Sequence, residues 1–212
     1  MSNRFVVLAG FFVTALVVSN IIAVKLVEIS GRVFPAGLVI FPLSYLLGDV
    51  LTEVYGFRAA RRVIWVGFAC NLLAVGAIQI AIALPAAGFW ENQAAYEDVL
   101  GTTWRIFVAS LAAYVVGELV NAYVLARMKV ATRGRWLWSR TIGSTIVGEG
   151  LDSAIFVTIA FAGTGAGLLN PILTTWAIKV AWETVATPLT YGIVGYLKRR
   201  DGEVPLAGLQ RV

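Results

Sequence analysis

Long apolar runs, separated by short charged stretches, are the main pattern of this chain. Six of these runs approach the roughly 20 residues that an α-helix needs to cross a bilayer. The predicted helices are Phe5–Val24, Val33–Gly48 with an extension through Asp49 and Glu53, Val63–Leu84, Ile106–Ala126, Thr141–Ala162 and Leu168–Leu197. The pattern therefore predicts an all-α polytopic membrane protein, in which residues 1–212 form a single bundle of six transmembrane helices.

The composition supports this fold class. Of the 212 residues, 59% are hydrophobic and 14% are charged, and the mean hydropathy is +0.82. Soluble domains carry about 25% charged residues. Cys70 is the single cysteine of the sequence, so the chain has no disulfide framework.

Basic residues occur in alternate connections between the predicted helices. They are Arg4 before the first helix, Arg58, Arg61 and Arg62 before the third, Arg127, Lys129, Arg133, Arg135 and Arg140 between the fourth and fifth, and Lys198, Arg199 and Arg200 after the sixth. Because short cytoplasmic loops are enriched in Lys and Arg, both termini are predicted to be cytoplasmic. The net charge of +5 then follows from the topology, and nucleic acid is not expected as a partner.

The two halves of the chain carry similar arrangements of acids. The central helix of each half has two acids on one face. These pairs are Asp49 with Glu53 and Glu149 with Asp152. Glu118 and Asn121 also share one face of the fourth helix. With three helices in each half, a repeat would be an inverted one, as in many transporters that bind substrate near the midplane. The sequence leaves this repeat open.

Ionisable residues inside the apolar runs indicate an internal polar cavity. They are Asp49, Glu53, Glu118, Glu149, Asp152, Lys179 and Glu183. A charged side chain at bilayer depth is costly, so such residues usually face a cavity and pair with one another or with a ligand. Glu118, Glu149 and Asp152 have no basic residue nearby in their own helices. Their partner is therefore predicted to come from another helix, from water or from a substrate.

The residue types argue against an enzyme. The sequence has no histidine, which excludes histidine proton relays and Ser-His or Cys-His catalytic pairs within it. A Gly-x-Gly-Asp protease signature would need glycine where Leu46 stands, before Gly48 and Asp49. Clustered carboxylates bind hard cations, but Lys25 and Lys179 oppose a cation cage. We therefore expect no catalytic residue, no metal site and no cofactor.

A flat, nitrogen-rich ring is one ligand that suits these side chains. One carboxylate can accept two adjacent N–H donors from an amidine edge, such as that of a guanine-like ring, and a second acid can hold an amine. Aromatic side chains near the acids offer stacking surfaces. They are Phe41 and Tyr45, close to Asp49 and Glu53, and Trp176 and Trp182, close to Lys179 and Glu183. Asn20 and Asn71 would add neutral hydrogen bonds or link helices.

Some of the charged residues also have purely structural explanations. Lys179 and Glu183 are four residues apart and can neutralise each other within one helix. Glu53 can form an ion pair with Arg58 and Arg61 near the end of its helix.

Two further features of the predicted helices have structural readings. Ala15, Ser19 and Ala23 lie four residues apart and form a small-residue face suited to close packing. Pro188 lies inside the sixth predicted helix, where proline can kink a helix and free a carbonyl.

Four acid-bearing or polar segments resemble the bacterial queuosine precursor transporter family. They are SNIIAVK at 19–25, GDVLTEVYGFRAAR at 48–61, GEGLDSAIF at 148–156, and KVAWET at 179–184 with the following Pro188. The resemblance covers nearly the whole chain. It implies import of 7-deazaguanine bases, such as preQ0, preQ1 or queuine, across the bacterial inner membrane. Such a base is a flat ring with an amidine edge, and its aminomethyl form is cationic.

The placement of the acids leads to the hypothesis of a carrier that works by alternating access and holds the substrate ring between the second, fifth and sixth helices. Asp49, Glu149, Asp152 and Glu183 would bind ring or amine donors. Lys179 would keep Glu183 charged, and Asn20 and Asn71 would supply neutral hydrogen bonds. The energy source is left open between protons and passive exchange.

The family is related to six-helix vitamin-uptake proteins, which leaves other functions open. Some of those proteins are substrate-binding subunits of ATP-driven importers, and they dock their partner through a small-residue face on the first helix. The face formed by Ala15, Ser19 and Ala23 could imitate it, although packing within the chain or in a homodimer is favoured. A structural membrane protein is the third possibility.

Overall fold

The computed structural model describes residues 2–23, 25–29, 32–101, 104–163 and 167–202. Within these ranges the chain forms seven α-helices, and a short 3-10 turn at Ala36–Val39 precedes the second. The helices are α1 (Asn3–Ile22), α2 (Phe41–Tyr55), α3 (Phe57–Ala83), α4 (Gln93–Leu100), α5 (Trp104–Ala131), α6 (Leu137–Phe161) and α7 (Leu169–Asp201). A hairpin of β1 (Leu26–Ile29) and β2 (Arg32–Pro35) connects α1 to the turn.

The predicted all-α membrane architecture is confirmed. Within the described residues, the helices α1, α3, α5 and α6 are long and apolar enough to cross a membrane. The helix α2 has 15 residues, and α7 has 33 and carries the buried Lys179 and Glu183; together they complete the six long helices. Large apolar side chains such as Leu73 and Val185 are exposed on the bundle, as expected for surfaces that face lipid.

The prediction for the start of the second helix is wrong. Val33 lies in β2, and α2 begins at Phe41. Pro35 explains the difference, because the residue before a proline is driven towards extended backbone and a proline inside a helix removes a hydrogen bond. Pro42 instead occupies the first turn of α2, where its missing N–H costs nothing.

The remaining helix bounds differ from the prediction mainly where charge sets the apparent end of an apolar run. The helix α3 begins at Phe57 rather than Val63, and α5 continues to Ala131, because basic residues extend both helices beyond the apolar part. Val24, the predicted end of the first helix, lies outside the described residues, as do residues 164–166 of the connection between α6 and α7. The helix α7 continues through Pro188 to Asp201.

The closest helix crossing in the bundle joins α5 to α6 at two glycines. A Cβ atom on Gly148 would lie 2.9 Å from the Gly117 carbonyl oxygen and 2.6 Å from Asn121 Cβ. A Cβ atom on Gly117 would lie 2.7 Å from Asp152 Cβ. Small residues at such a crossing let helix backbones approach closely. The crossing brings the polar face of α5 directly against the acids of α6.

The small-residue face of α1 is packed within the chain. The 3-10 turn lies on it at Gly37, where a Cβ atom would overlap the Ser19 carbonyl oxygen and lie 3.0 Å from Ala23 Cβ. Ala15 and Ser19 are buried. The predicted close packing by this face is therefore confirmed.

Candidate functional site

Acidic side chains from four helices are buried together in the middle of the bundle. We call them, with their polar neighbours, the acid cluster: Tyr45 and Asp49 from α2, Glu118 and Asn121 from α5, Glu149 and Asp152 from α6, and Lys179 and Glu183 from α7. Each of these residues is at most 9% exposed. The cluster has five carboxyl groups and one ammonium group. Burial of so many acids is costly unless hydrogen bonds, cations or protons compensate.

Lys179 forms ion pairs with the two acids of α6. Its ammonium lies 2.9 Å from Glu149 Oε2 and donates a hydrogen bond to Asp152 Oδ2. This contact confirms that the α6 acids take their partner from another helix. The predicted pairing of Lys179 with Glu183 is wrong, because helical side chains lean towards the helix N-terminus and the ammonium therefore points away from Glu183.

The second contact within the acid cluster joins α5 to α2. The side-chain amide of Asn121 donates to Asp49 Oδ1 at 2.8 Å. Glu183, Glu118 and Glu149 also lie near Asp49. Sequence reasoning noted Asn121 only as a neighbour of Glu118 on one helix face. The three-residue spacing of Glu118 and Asn121 was the sequence feature that could have predicted Asn121 as part of the acid cluster.

The acid cluster contains more hydrogen-bond acceptors than the protein satisfies. Several buried side-chain oxygens have no hydrogen-bond partner among the described residues, and we call them the unpartnered oxygens. In and beside the cluster they are Tyr45 Oη, Asp49 Oδ2, Glu118 Oε1 and Oε2, Asn121 Oδ1, Glu149 Oε2, Ser153 Oγ and Glu183 Oε1. Glu149 Oε2 contacts the Lys179 ammonium as an ion pair, but not with hydrogen-bond angles. Because buried polar groups are normally satisfied, this region is built to receive donors.

A cavity of about 540 Å³ leads to the acid cluster. It lies between α1, α3, α5, α6 and α7 in the half of the bundle remote from both termini, which we call the cavity end. Phe41, Asp152, Ser153 and Lys179 line it, so the edge of the acid cluster is reached from this space. Ser153 was not predicted as a site residue. The volume of the cavity is in the range of roughly 300 to 1,000 Å³ that is typical of small-molecule sites.

The two predicted asparagines form part of the cavity wall. Asn20 Nδ2 donates to Asn71 Oδ1 at 2.9 Å, and Asn71 Nδ2 donates to the Gly67 carbonyl at 3.2 Å. Ser110 Oγ donates to Asn20 Oδ1 at 3.4 Å. This chain of contacts links α1, α3 and α5, and it also presents amide groups to the cavity.

Aromatic rings from α2 lie next to the cation of the acid cluster. The rings of Phe41 and Tyr45 meet edge to face with centroids 4.8 Å apart. The Lys179 ammonium lies 5.4 Å from the Phe41 centroid and 5.6 Å from that of Tyr45, which is within cation–π range. A flat ligand that displaced the ammonium would meet the same rings.

The tryptophans of α7 differ from the prediction. Trp182 is 45% exposed and does not join the acid cluster, because it lies about 100° around the helix from Glu183. Trp176 is half-buried, and its indole N–H donates to the Ile146 carbonyl at 2.9 Å. It therefore ties α7 to α6 beside the site.

Glu53 belongs to a separate network, which we call the Glu53 network. Its Oε1 atom lies 2.8 Å from Lys198 Nζ, 2.9 Å from Arg140 Nη2 and 3.5 Å from Lys129 Nζ. Lys129 also donates to the Glu53 carbonyl at 2.6 Å. Glu53 therefore forms ion pairs, as the structural alternative held, but the partners seen are Lys129, Arg140 and Lys198 of α5, α6 and α7, whereas the prediction named Arg58 and Arg61. These contacts tie four helices together on the side of the acid cluster nearer the termini.

The two ends of the described chain meet at this terminal end. Asp201 Oδ2 accepts hydrogen bonds from Ser2 Oγ at 2.5 Å and from Tyr55 Oη at 2.6 Å, and Asp201 also pairs with Arg4. Hydrogen bonds from Ser2 and Tyr55, together with Arg4, lower the pKa of Asp201 to about 2. The bundle is thus closed by polar contacts at the terminal end and has its cavity at the other.

Known proteins with similar sequences are membrane transporters. The family described as "Putative vitamin uptake transporter" matches residues 35–193. The "Probable queuosine precursor transporter" of Bacillus subtilis (strain 168) is 31% identical over 180 residues, which are 84% of this chain and 79% of the relative. The "Queuosine precursor transporter" of Escherichia coli (strain K12) is 29% identical over 73% of this chain and 67% of its own length. No solved structure matches the chain.

Proposed function

The chain belongs to the queuosine precursor transporters of the vitamin uptake transporter family, and we propose that it imports 7-deazaguanine bases across a bacterial inner membrane. Its family is one of transporters, so the chain is a membrane transporter and not an enzyme. The names of its relatives refer to queuosine precursors. The substrate class is therefore proposed on these names together with the chemistry of the site.

The surplus of buried acceptors is the observation that carries this proposal. Leaving Glu118 aside, the unpartnered oxygens still come from α2, α5, α6 and α7 and include Asp49 Oδ2, Glu149 Oε2 and Glu183 Oε1. A 7-deazaguanine ring presents N–H donors on its amidine edge and on its pyrrole nitrogen, and its aminomethyl form adds an ammonium. Carboxylates that accept paired N–H donors give both affinity and orientation. A ligand rich in acceptors would leave these oxygens unsatisfied.

Substrate is proposed to enter from the cavity and compete with Lys179. Asp152 lines the cavity and Glu149 lies beyond it, and both contact the Lys179 ammonium. An amidine edge or an ammonium of the substrate offers these carboxylates the same donors. The displaced ammonium can then bind the ring carbonyl, and Phe41 can stack on the ring. The Lys179 side chain thus occupies the site in place of substrate.

The remaining residues divide into deeper contacts and supports. Asp49 and Glu183, with Tyr45, are proposed to meet the substrate after it has passed Lys179, since they are buried and hold unpartnered oxygens. Asn20 and Asn71 would form the wall where the substrate enters. The supports are Glu53, which forms ion pairs, and Trp176, which connects α7 to α6. Trp182 is exposed on the surface of the bundle.

The sidedness of the cavity follows from the predicted topology. With both termini in the cytoplasm, the cavity end faces outward and the terminal end is closed by the Glu53 network. This arrangement supports a carrier in an outward-facing state, ready to receive substrate. The homodimer and the inverted repeat stay predictions.

Purified protein in liposomes tests the proposed function. We expect uptake of radiolabelled 7-cyano-7-deazaguanine, and its aminomethyl analogue should compete. Asp152→Asn and Glu149→Gln should each lower uptake at least tenfold, because each replaces a carboxylate acceptor of the site. Glu91→Gln makes the same chemical change at an exposed position and should keep normal uptake. Normal uptake by both Asp152→Asn and Glu149→Gln would refute the site assignment.

A substrate-binding subunit of an ATP-driven importer is the second candidate. The sequence feature that suggested such a subunit was the small-residue face of α1. In this chain that face packs against the 3-10 turn at Gly37. The observation favours the independent carrier. Tight binding of the labelled base without flux in liposomes would instead support the subunit, and the absence of both would support a structural protein.

A further inference from the structure

Glu118 is the carboxyl group of the acid cluster for which both oxygens are buried without a hydrogen-bond partner among the described residues, whereas this holds for one oxygen of Glu183. Glu118 is 3% exposed. Asp49 has the amide of Asn121, whereas Glu149 and Asp152 have the Lys179 ammonium. Glu118 also has no ion pair within the ranges that the structure describes.

The surroundings of Glu118 are apolar on one side and acidic on the other. Its Oε2 atom lies against α2, 3.2 Å from where a Cβ atom of Gly48 would stand, and the Phe12 ring contacts the same point. One turn earlier on α5, the Tyr114 hydroxyl is directed away to the Ile64 carbonyl at 2.9 Å. The charged and titratable groups near Glu118 are Tyr45 and Asp49 of α2, Glu149 and Asp152 of α6, and Lys179 and Glu183 of α7.

These surroundings favour the neutral acid form of Glu118. An ionised carboxylate without a partner is very costly in a buried site, and the nearby acids repel it further. Lys179 is the nearby cation, but its ammonium is already shared by Glu149 and Asp152. The carboxyl group is therefore stable here as COOH and would ionise only where water or a cation reached it.

Glu118 is also close to the cavity without lining it. Its neighbour Gly117 packs against Asp152, which lines the cavity, so one helix contact separates Glu118 from the entrance. On its other side Glu118 meets α2 at Gly48, one turn from Glu53. If the terminal end opens by separation of α2 from α5, the carboxyl group becomes accessible from that end. Glu118 thus lies between the cavity and the terminal end, one helix contact from the first and against α2 on the side of the second.

We propose that Glu118 is the binding site of a coupling proton, so that import of the base is driven by the proton gradient. In the outward-facing state the carboxyl group is COOH and holds one proton that came from the cavity side, and this proton moves with the bound substrate. After the bundle changes state, the carboxyl group releases that proton at the terminal end. The inference rests on the proposed function, because it concerns the energy source of the same transport. Asp152 and Glu149 serve the substrate, which leaves a separate carboxyl group for the proton.

Liposomes with a fixed membrane potential provide the test. The probe is radiolabelled 7-cyano-7-deazaguanine, which is neutral and therefore carries no charge of its own, and valinomycin with equal potassium on both sides clamps the potential. With the outside one pH unit more acidic, one proton per substrate allows accumulation of up to about tenfold. A pH-sensitive dye trapped inside should report acidification when the probe is added. Counterflow against unlabelled base measures exchange, which needs no gradient.

The Glu118→Gln variant separates coupling from transport. The amide mimics the neutral acid, so counterflow should stay within about twofold of the unchanged protein, while pH-driven accumulation and dye acidification should be lost. Glu91→Gln should keep all three. A Glu118→Gln variant that still accumulates the probe, or that loses counterflow too, would overturn the assignment. Unchanged protein that shows counterflow but no proton movement would refute coupling and leave the proposed function standing, whereas absent counterflow would refute the function itself.

Discussion

At the residue scale, each buried acid has a different local balance of charge and hydrogen bonds. Glu149 and Asp152 share an ammonium, Asp49 has an amide, and Glu118 has neither among the described residues. Asp49 and Asp152 are both aspartates, and Glu118 and Glu149 are both glutamates. The neighbouring groups, rather than the residue type, therefore determine the chemistry of each carboxyl group. A carboxyl group with a cation can remain ionised and bind substrate donors, whereas one without it is suited to hold a proton.

Replacement of Lys179 tests the balance of the acid cluster. Lys179→Met keeps the length of the side chain but removes the ammonium, which leaves Glu149 and Asp152 buried without their cation. Breaking a buried ion pair in this way costs about 3–5 kcal/mol. We expect a lower thermal unfolding temperature in detergent at pH 8, and a smaller loss at pH 5, because protonation relieves the repulsion between the acids.

Lys25→Met is the matched control for that change, because Lys25 is exposed beside the hairpin. Its unfolding temperature should stay near that of the unchanged protein at both pH values. Equal losses for Lys179→Met at pH 5 and pH 8 would show that lost packing, rather than unpaired charge, causes the effect.

The sequence predicted which residues are charged and buried better than it predicted their partners. Every acid singled out from an apolar run is buried, because hydropathy reports the environment of a segment directly. Partners depend on how the helices rotate and cross, which the sequence does not encode locally. The pairing of Lys179 with α6 and the exposure of Trp182 were both missed for this reason.

At the element scale, the crossing of α5 and α6 decides where the acid cluster forms. Gly117 and Gly148 allow the backbones to touch, and the polar residues beside them are thereby brought together. Apolar runs could predict the positions of most helices, but not their ends, because α3 and α5 continue past the charges at which those runs stop. The start of α2 was missed because Pro35 and the hairpin interrupt an apolar run without any charge to mark the break.

A single added methyl group tests this crossing. In Gly148→Ala the new Cβ atom would stand 2.6 Å from Asn121 Cβ, so α5 and α6 must separate. Overpacking of this kind costs about 1–3 kcal/mol. We expect a lower unfolding temperature and at least fivefold slower uptake, since Asn121 and Glu149 are displaced with the helices.

Gly192→Ala makes the same change within α7, at a position with nothing within 4 Å of the new Cβ atom. Alanine has a higher helix propensity than glycine by about 1 kcal/mol, so this variant should be as stable as the unchanged protein or slightly more so. Equal behaviour of the two alanine variants would show that the crossing is looser than described.

At the scale of the whole molecule, the bundle is asymmetric between its ends. A cavity lies at one end, while the Glu53 network and the contacts of Asp201 with Ser2, Arg4 and Tyr55 close the other. A carrier that alternates between states must break the closed end when it delivers substrate. The buried ion pairs at the terminal end are therefore the contacts whose loss should change the balance between the two states.

Labelling of a cysteine in the cavity provides a measure of that balance. In a Cys70→Ala background, Ser110→Cys places a thiol on the cavity wall with little change in volume. A membrane-impermeant maleimide added outside intact cells should label it if the cavity faces outward, and 7-cyano-7-deazaguanine should slow the reaction. Arg133→Cys, in the exposed connection between α5 and α6, should react only after permeabilisation.

Loss of the Glu53 carboxylate should then shift the bundle away from the outward-facing state. Glu53→Gln removes the negative charge that Lys129, Arg140 and Lys198 share, so repulsion among the three cations increases and favours opening of the terminal end. We expect severalfold slower labelling of Ser110→Cys from outside and faster labelling from the opposite side in inverted vesicles. The Glu91→Gln control should change neither rate. Slower labelling from both sides would indicate a collapsed cavity instead, whereas unchanged rates would mean that the Glu53 network stabilises both states equally and does not gate the terminal end.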